Sequence, residues 1–219
     1  MRVWQTIRPS VLHRHVHQKP YAALVLSGCY EEAGDTGRHR VGAGDVIFHE
    51  AFEAHLDRVP ASGAQVLNLP LPAVYALPSC VGRSTDPDAV VSLAEKNKGE
   101  ASALLLSSIK MREPQYQDWP DDLAATLIRD PSLSLATWSE ETGISAWNLS
   151  RGFAQVFGIS PSAFRARARA RQAWKAIRRS DDPLADIAAQ CGFADQAHMT
   201  RGVKGMTGAC PTAWRPPCK

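Results

Sequence analysis

The sequence predicts an α+β chain in which an antiparallel β domain precedes an all-α domain. Two observations predict it. Short apolar runs separated by glycine turns fill residues 1 to about 72, and amphipathic helical patterns fill most of the rest. From Trp138 to Arg215, moreover, the chain repeats itself. Leu149, Ser150, Arg151, Gly158, Pro161, Ala163, Phe164 and Arg165 recur, each 50 residues on, as Met199, Thr200, Arg201, Gly208, Pro211, Ala213, Trp214 and Arg215. Gly143 and Gly192 sit 49 apart. Self-similarity at this many positions marks a duplicated unit, and its pattern predicts two helix-turn-helix motifs joined by a long helix.

The elements follow in order. Tyr21 to Ser27 is an apolar run closed by Gly28, Val46 to Phe48 a second, launched from Gly42-Ala43-Gly44-Asp45, and Gln65 to Pro70 a third. Glycine turns between such runs suggest a small antiparallel barrel or sandwich. Asp86 before Pro87 is an N-cap with a proline at the first helical position, opening a helix to about Lys96. Glu100 to Met111 reads as a second helix, whose Ala103, Leu104, Leu106 and Ile109 need either the barrel or a second copy of the chain to pack on. Glu113 to Pro120 reads as a linker. The division expected is a β domain over 1–80, a helical linker or dimer contact over 81–117, and the duplicated domain over 118–219.

Seven helices are expected in that last domain: Pro120–Arg129, Ser134–Thr142, Ala146–Phe157, Pro161–Arg179, Pro183–Cys191, Gln196–Thr207 and a short one at Pro211–Trp214. Ser145, Ser160, Asp182 and Asp195 are good N-cap types. Gly143 and Gly192 stand where the tight inter-helix turn needs a positive φ.

Residues 121–219 carry 13 Lys and Arg against 9 Asp and Glu, and residues 1–120 carry 12 against 13, so the modest basic surplus sits with the duplication. Leu149, Phe153, Phe157, Met199 and Val203 have core spacing. Trp147, Asn148, Ser150 and Arg151 in one helix, and Gln196, Ala197, His198, Thr200 and Arg201 in the other, then face outward. Arg can bridge guanine O6 and N7, Asn or Gln adenine N6 and N7, as major-groove readout requires. The 19-residue spacer Pro161–Arg179 is about 28 Å long, close to the roughly 34 Å between successive major grooves on one DNA face. A helical bundle that binds protein is the plainer alternative, and two motifs in register with this spacer favour DNA. Arg165, Arg167, Arg169 and Arg171 fall on two helix faces and read as mostly solvent-facing, with one or two touching phosphate.

The stretch from Leu133-Ser-Leu-Ala through Gly143-Ile-Ser-Ala-Trp-Asn-Leu-Ser-Arg151, Phe157-Gly-Ile-Ser-Pro161 and Ile187-Ala-Ala-Gln-Cys-Gly-Phe-Ala-Asp-Gln-Ala-His198 to Pro211-Thr-Ala-Trp-Arg215 resembles the DNA-binding domain of AraC/XylS-type bacterial regulators. The resemblance covers about 100 residues. It implies a promoter-binding transcription regulator, more an activator through RNA polymerase contact than a repressor. It also implies base contacts from Trp147, Ser150, Arg151, Gln196, His198 and Arg201. Two departures stand out. Met199 and Val203 replace a pair of phenylalanines, and Gly152, Gly202 and Gly205 are expected to loosen both recognition helices.

The first half resembles a cupin, the usual sensor of that family. His15 and His17, then Tyr21 and Gly28, follow the first cupin motif with tyrosine in place of its glutamate, and Gly42 to Asp45 followed by His55 follows the second. The resemblance implies an effector site at His15, His17, Tyr21 and His55, taking either a divalent ion (zinc or iron) or a small organic molecule. His13 leaves the motif register ambiguous. His39 and His49 are expected to be surface residues without a role. The rival reading is a cupin metalloenzyme, a dioxygenase or isomerase with a helical appendage, and Tyr21 weakens it. A constitutive DNA-binding protein with a vestigial β domain is the third.

Five scattered cysteines without a Cys-x-x-Cys pair fit a reducing compartment. With no long apolar run and no signal-peptide pattern, the expected setting is the cytoplasm, away from membranes.

Overall fold

A computed structural model describes residues 3–72, 80–113, 115 and 118–215. The chain divides into two compact units, Met1–Gln117 and Asp118–Lys219.

The first unit holds nine strands among the described residues: β1 (Gln5–Ile7), β2 (Ser10–His17), β3 (Tyr21–Gly34), β4 (Gly37–Gly42), β5 (Asp45–His49), β6 (Glu53–Val59), β7 (Ala64–Pro70), β8 (Val81–Ser84) and β9 (Ile109–Met111). All their pairings are antiparallel. Strand β3 belongs to two sheets. Its first half pairs with β5 and β7 in the order β1-β7-β3-β5-β8-β9, and its second half with β4 and β6 in the order β2-β6-β3-β4. The described pairings form two sheets joined through this strand and no closed ring. Gly28 makes the joint. Its φ is 73°, and a Cβ there would lie 2.0 Å from the Gly63 carbonyl oxygen. The sequence suggested a strand ending at this glycine, but a positive φ inside an antiparallel ladder bends the strand and lets it continue.

Alternation sorts the side chains of β3 and β5. Ala22, Leu24, Val46 and Phe48 join Leu67 and Leu69 in a core covered by Val90 and Ala94 of α1 (Pro87–Ala94) and by Ala101 and Leu105 of α2 (Lys98–Ser108). Ala23, Val25 and Ile47 face the other way, packing with Tyr30, Val41, Val59, Val66 and Val81. The two helices therefore cover the sheet, and the linker role considered for 81–117 does not describe them. Helix α2 ends at Ser108, and Ile109 to Met111 becomes strand β9 on the edge of β8. Asp86 caps α1 as expected, accepting from the Ala89 amide.

The second unit holds α3 (Trp119–Arg129), α4 (Leu135–Thr142), α5 (Ala146–Phe157), α6 (Pro161–Arg179), α7 (Leu184–Gln190), α8 (Gln196–Thr207) and a 3-10 turn at Pro211–Trp214. Of the linker read at Glu113 to Pro120, residues 114, 116 and 117 lie outside the described residues, and Trp119 and Pro120 already belong to α3. Ser134, Ser145, Ser160 and Asp195 each accept a hydrogen bond from the third residue on, closing an orphan amide at the helix start. Asp182 does not act this way: α7 starts one residue later than read, with Pro183 as its cap. Gly143 and Gly192 have φ of 69° and 72°, as the turns require.

Helix α6 packs on α3, α5, α7, α8 and the 3-10 turn, so both motifs share one spine. Around its first half, Phe153 stacks on Phe157 with ring centroids 4.5 Å apart, and Phe164 meets both edge-on at 5.3 Å. Around its second half, Ala173, Trp174 and Ile177 are buried, as are Ile187, Phe193, Met199 and Val203 of the second motif.

Candidate nucleic-acid interface and histidine cluster

In the second unit, each motif places a short helix, a glycine turn and a recognition helix. On α5, Leu149, Phe153 and Phe157 are buried, and Trp147, Asn148, Ser150 and Arg151 are exposed, Trp147 at 65 %. On α8, Met199 and Val203 are buried, Gln196, Ala197, His198 and Arg201 are exposed, and Thr200 is half-buried. All eight sequence-predicted DNA residues thus reach solvent from the first two turns of their helices. Arg151 lies over the Trp147 ring, 5.0 Å from its centroid. His198 packs edge-on against Phe193 with centroids 5.2 Å apart, which holds that imidazole near the helix start.

Two glycines expected to loosen these helices are sites of close packing. A Cβ at Gly152 would lie 2.6 Å from Cζ2 of Trp119, and one at Gly202 would lie 3.3 Å from Cε1 of Phe193. Only Gly205 of the three has nothing within 4 Å. The α6 arginines also differ from the solvent-facing reading. Arg165 donates to the Leu133 carbonyl at 2.9 Å, Arg169 to that of Pro131 at 2.9 Å, and Arg171 is buried. Arg165 and Arg169 tie α6 to the segment between α3 and α4.

In the first unit a second group of functional side chains converges. His15 and His17 lie on one face of β2, two residues apart, and register sets His15 opposite His55 of β6. The His55 and His15 Nε2 atoms are 3.0 Å apart. The His17 ring lies 4.9 Å from that of His15 and 4.8 Å from that of Tyr21. The four residues predicted as an effector site therefore come together. His15 Nδ1 lies 3.0 Å from the His13 carbonyl oxygen, to which it donates when protonated there.

The sequence missed the inner half of this cluster. His49, expected at the surface, is 2 % exposed and stacks on Tyr21 with centroids 4.3 Å apart. Glu32, Glu53, His55 and Asp57 are buried with it, and His39 is buried with its Nε2 3.2 Å from the Cys80 sulfur. Glu53, His55 and Asp57 are spaced by two along β6, a polar period-two signal readable in the sequence. Glu32 was hidden because it lies beyond Gly28, where the strand appeared to end.

Burial governs the ionisation here. It pushes the Glu32 carboxyl well above the usual carboxylate range, and Glu53 adds to the shift. Asp57 rises to about 6, from burial and then Glu32. Burial and then His55 lower His17 to about 4, and the same two causes hold His49 well below its ordinary value. His55 is lowered too, again chiefly by burial. The lowered imidazoles are neutral near pH 7, each keeping a lone pair available to a ligand. Among the described residues, two groups have the makeup of a metal-ligand set: His15, His17 and His55, and Glu32, His49 and His55.

A family model described as a helix-turn-helix domain matches residues 138–216. The arabinose operon regulatory protein of Escherichia coli (strain K12) is 30 % identical over 92 residues, which are 42 % of this chain and 32 % of that protein. The probable transcription factor PqrA of Proteus vulgaris is 29 % identical over 93 residues, 42 % of this chain and 76 % of that one. The chain therefore spans about a third of the arabinose regulator it matches. Among solved structures, ToxT from Vibrio cholerae aligns over 97 % of both chains at 11 % identity with a TM-score of 0.45. Residues 138–216 thus form a helix-turn-helix domain similar to those of AraC-type transcription regulators, and an antiparallel β domain precedes it in this chain.

Proposed function

We propose that this protein is a transcription regulator that binds double-stranded promoter DNA through α5 and α8 and is not an enzyme. The observation that carries the reading is the matched pair of recognition helices, each burying one face in a shared core and presenting Arg, Asn or Gln, and Ser or Thr at its start. Trp147, Asn148, Ser150 and Arg151 read one major groove; Gln196, His198, Thr200 and Arg201 read the next. The β domain is the sensor, with His15, His17, Tyr21 and His55 meeting the effector. A bound effector biases the β domain toward one of two states that hold the DNA heads differently. The family supports activation through RNA polymerase, a cytoplasmic setting and a homodimer. No helix of the described residues is long and apolar enough to cross a membrane.

The test is binding of the full chain to promoter fragments selected from its own genome. Arg151→Ala and Arg201→Ala are each expected to weaken binding by about 1–3 kcal/mol and to relax preference at one base position. Parent-like affinity and preference in both variants would refute the contact assignment. Failure of the parent to prefer any fragment over random DNA would refute the regulator.

A further inference from the structure

We propose that Glu32, His49 and His55 bind one divalent first-row transition-metal ion inside the β domain. The inference does not depend on DNA binding, and it places the ion away from the His-x-His pair that the sequence pattern singles out. One ligand atom from each of the three residues lies within 4.8 Å of the other two, and all three residues are buried. His55 Nδ1 is 3.2 Å from His49 Nδ1 and 3.3 Å from Glu32 Oε1. Ligand atoms about 2.0–2.2 Å from a tetrahedral ion are roughly 3.3–3.6 Å from one another, so the two separations at His55 Nδ1 suit a shared ion, and Glu32 and His49 lie within the 4.8 Å that spans the set.

Two buried carboxylate oxygens of this cluster otherwise have no hydrogen-bond partner. Glu32 Oε1 is buried and accepts no hydrogen bond, although His55 Nδ1 is near, and Asp57 Oδ1 is buried in the same condition. An orphaned buried carboxylate oxygen keeps the full penalty of its lost hydration. His55 faces another imidazole nitrogen at both of its own, His49 Nδ1 on one side and His15 Nε2 on the other. A cation at Glu32 gives its orphaned oxygen a partner, exchanges the inner His55–His49 hydrogen bond for two metal bonds, and balances carboxylates buried at positions 32, 53 and 57. Two imidazoles with one carboxylate suit zinc, iron or cobalt, whereas calcium and magnesium take oxygen ligands. With His55 Nδ1 given to the ion, its Nε2 still faces His15, which leaves His15, His17 and Tyr21 for an organic effector.

The experiment uses the full chain, stripped with a chelator and titrated with Zn²⁺, with Co²⁺ as the spectroscopic probe. One equivalent of Zn²⁺ is expected to bind, and Co²⁺ to give visible ligand-field bands. Glu32→Gln and His49→Gln should each lower affinity roughly tenfold or more, whereas His17→Ala should leave it unchanged. Anomalous diffraction from the Co²⁺-loaded parent locates the ion whether or not a variant folds. An ion bonded to Glu32, His49 and His55 supports the assignment. No stoichiometric binding by the parent, parent-like affinity in folded Glu32→Gln and His49→Gln variants, or an ion on His15 and His17 instead overturns it.

Discussion

The same substitution, glycine to alanine, should have opposite effects at Gly152 and Gly205, although both lie inside recognition helices. Alanine gains about 1 kcal/mol over glycine in a helix interior. At Gly205 nothing lies within 4 Å of the added methyl, so that gain stands nearly whole and stability should rise by about 0.5–1 kcal/mol. At Gly152 the methyl would sit 2.6 Å from Cζ2 and 3.1 Å from Cη2 of the Trp119 indole. A rigid ring cannot yield as a flexible side-chain end does, so α3 and α5 must separate. Overpacking of this kind costs about 1–3 kcal/mol, which outweighs the propensity gain and leaves a net loss of roughly 1 kcal/mol. The two variants then differ by about 2 kcal/mol, or some 8 °C or more in Tm for a unit of this size. Thermal unfolding followed by circular dichroism at 222 nm, where the helical unit dominates, reads the difference. Trp119→Phe removes the clashing ring atoms, so adding it should shrink the Gly152→Ala penalty, a coupling that a double-mutant cycle measures. If Gly152→Ala melts above the parent as Gly205→Ala does, the close approach of Trp119 to α5 is wrong.

Three further outcomes are expected. Gly28→Ala combines a positive φ with a Cβ 2.0 Å from the Gly63 carbonyl oxygen; it should cost the β unit at least about 2 kcal/mol, read by urea denaturation. Arg169→Ala deletes the hydrogen bond to the Pro131 carbonyl; it should lower stability by about 1 kcal/mol without changing the salt slope of DNA binding, and a reduced slope would make Arg169 a phosphate contact instead. Trp147→Ala removes an exposed ring; Tm should move little, within about 0.5 kcal/mol of stability, while DNA affinity falls, and a large Tm loss would place the ring in the core.

The helical unit was the more legible half because its signals are local. An N-cap serine or aspartate and a positive-φ glycine act within one turn of chain, so Ser145, Ser160, Asp195, Gly143 and Gly192 could be read directly. The duplication then checked each assignment against its copy. Packing partners were not legible. Gly152 looked like a weak point because nothing in the sequence sets Trp119 against it, and Arg165 and Arg169 looked solvated because their partners are backbone carbonyls more than 30 residues away.

By itself the sequence determined the class of the protein: an antiparallel β domain ahead of two helix-turn-helix motifs, with the outward-facing residues of both recognition helices and the outer histidines named. Those properties follow from periodicity, capping and repetition, which depend on near neighbours. Only the tertiary structure decided what surrounds His55. Strand β3 bends through Gly28 instead of ending there, which carries Glu32 into register with Asp57 of β6 while Tyr21 stays paired with His49 of β5. Antiparallel pairing sets side by side residues that are dozens of positions apart, and the buried polar groups between the sheets break the apolar-inside pattern by which a sequence is read. The inner acid and histidine therefore became visible only once the two sheets were assembled.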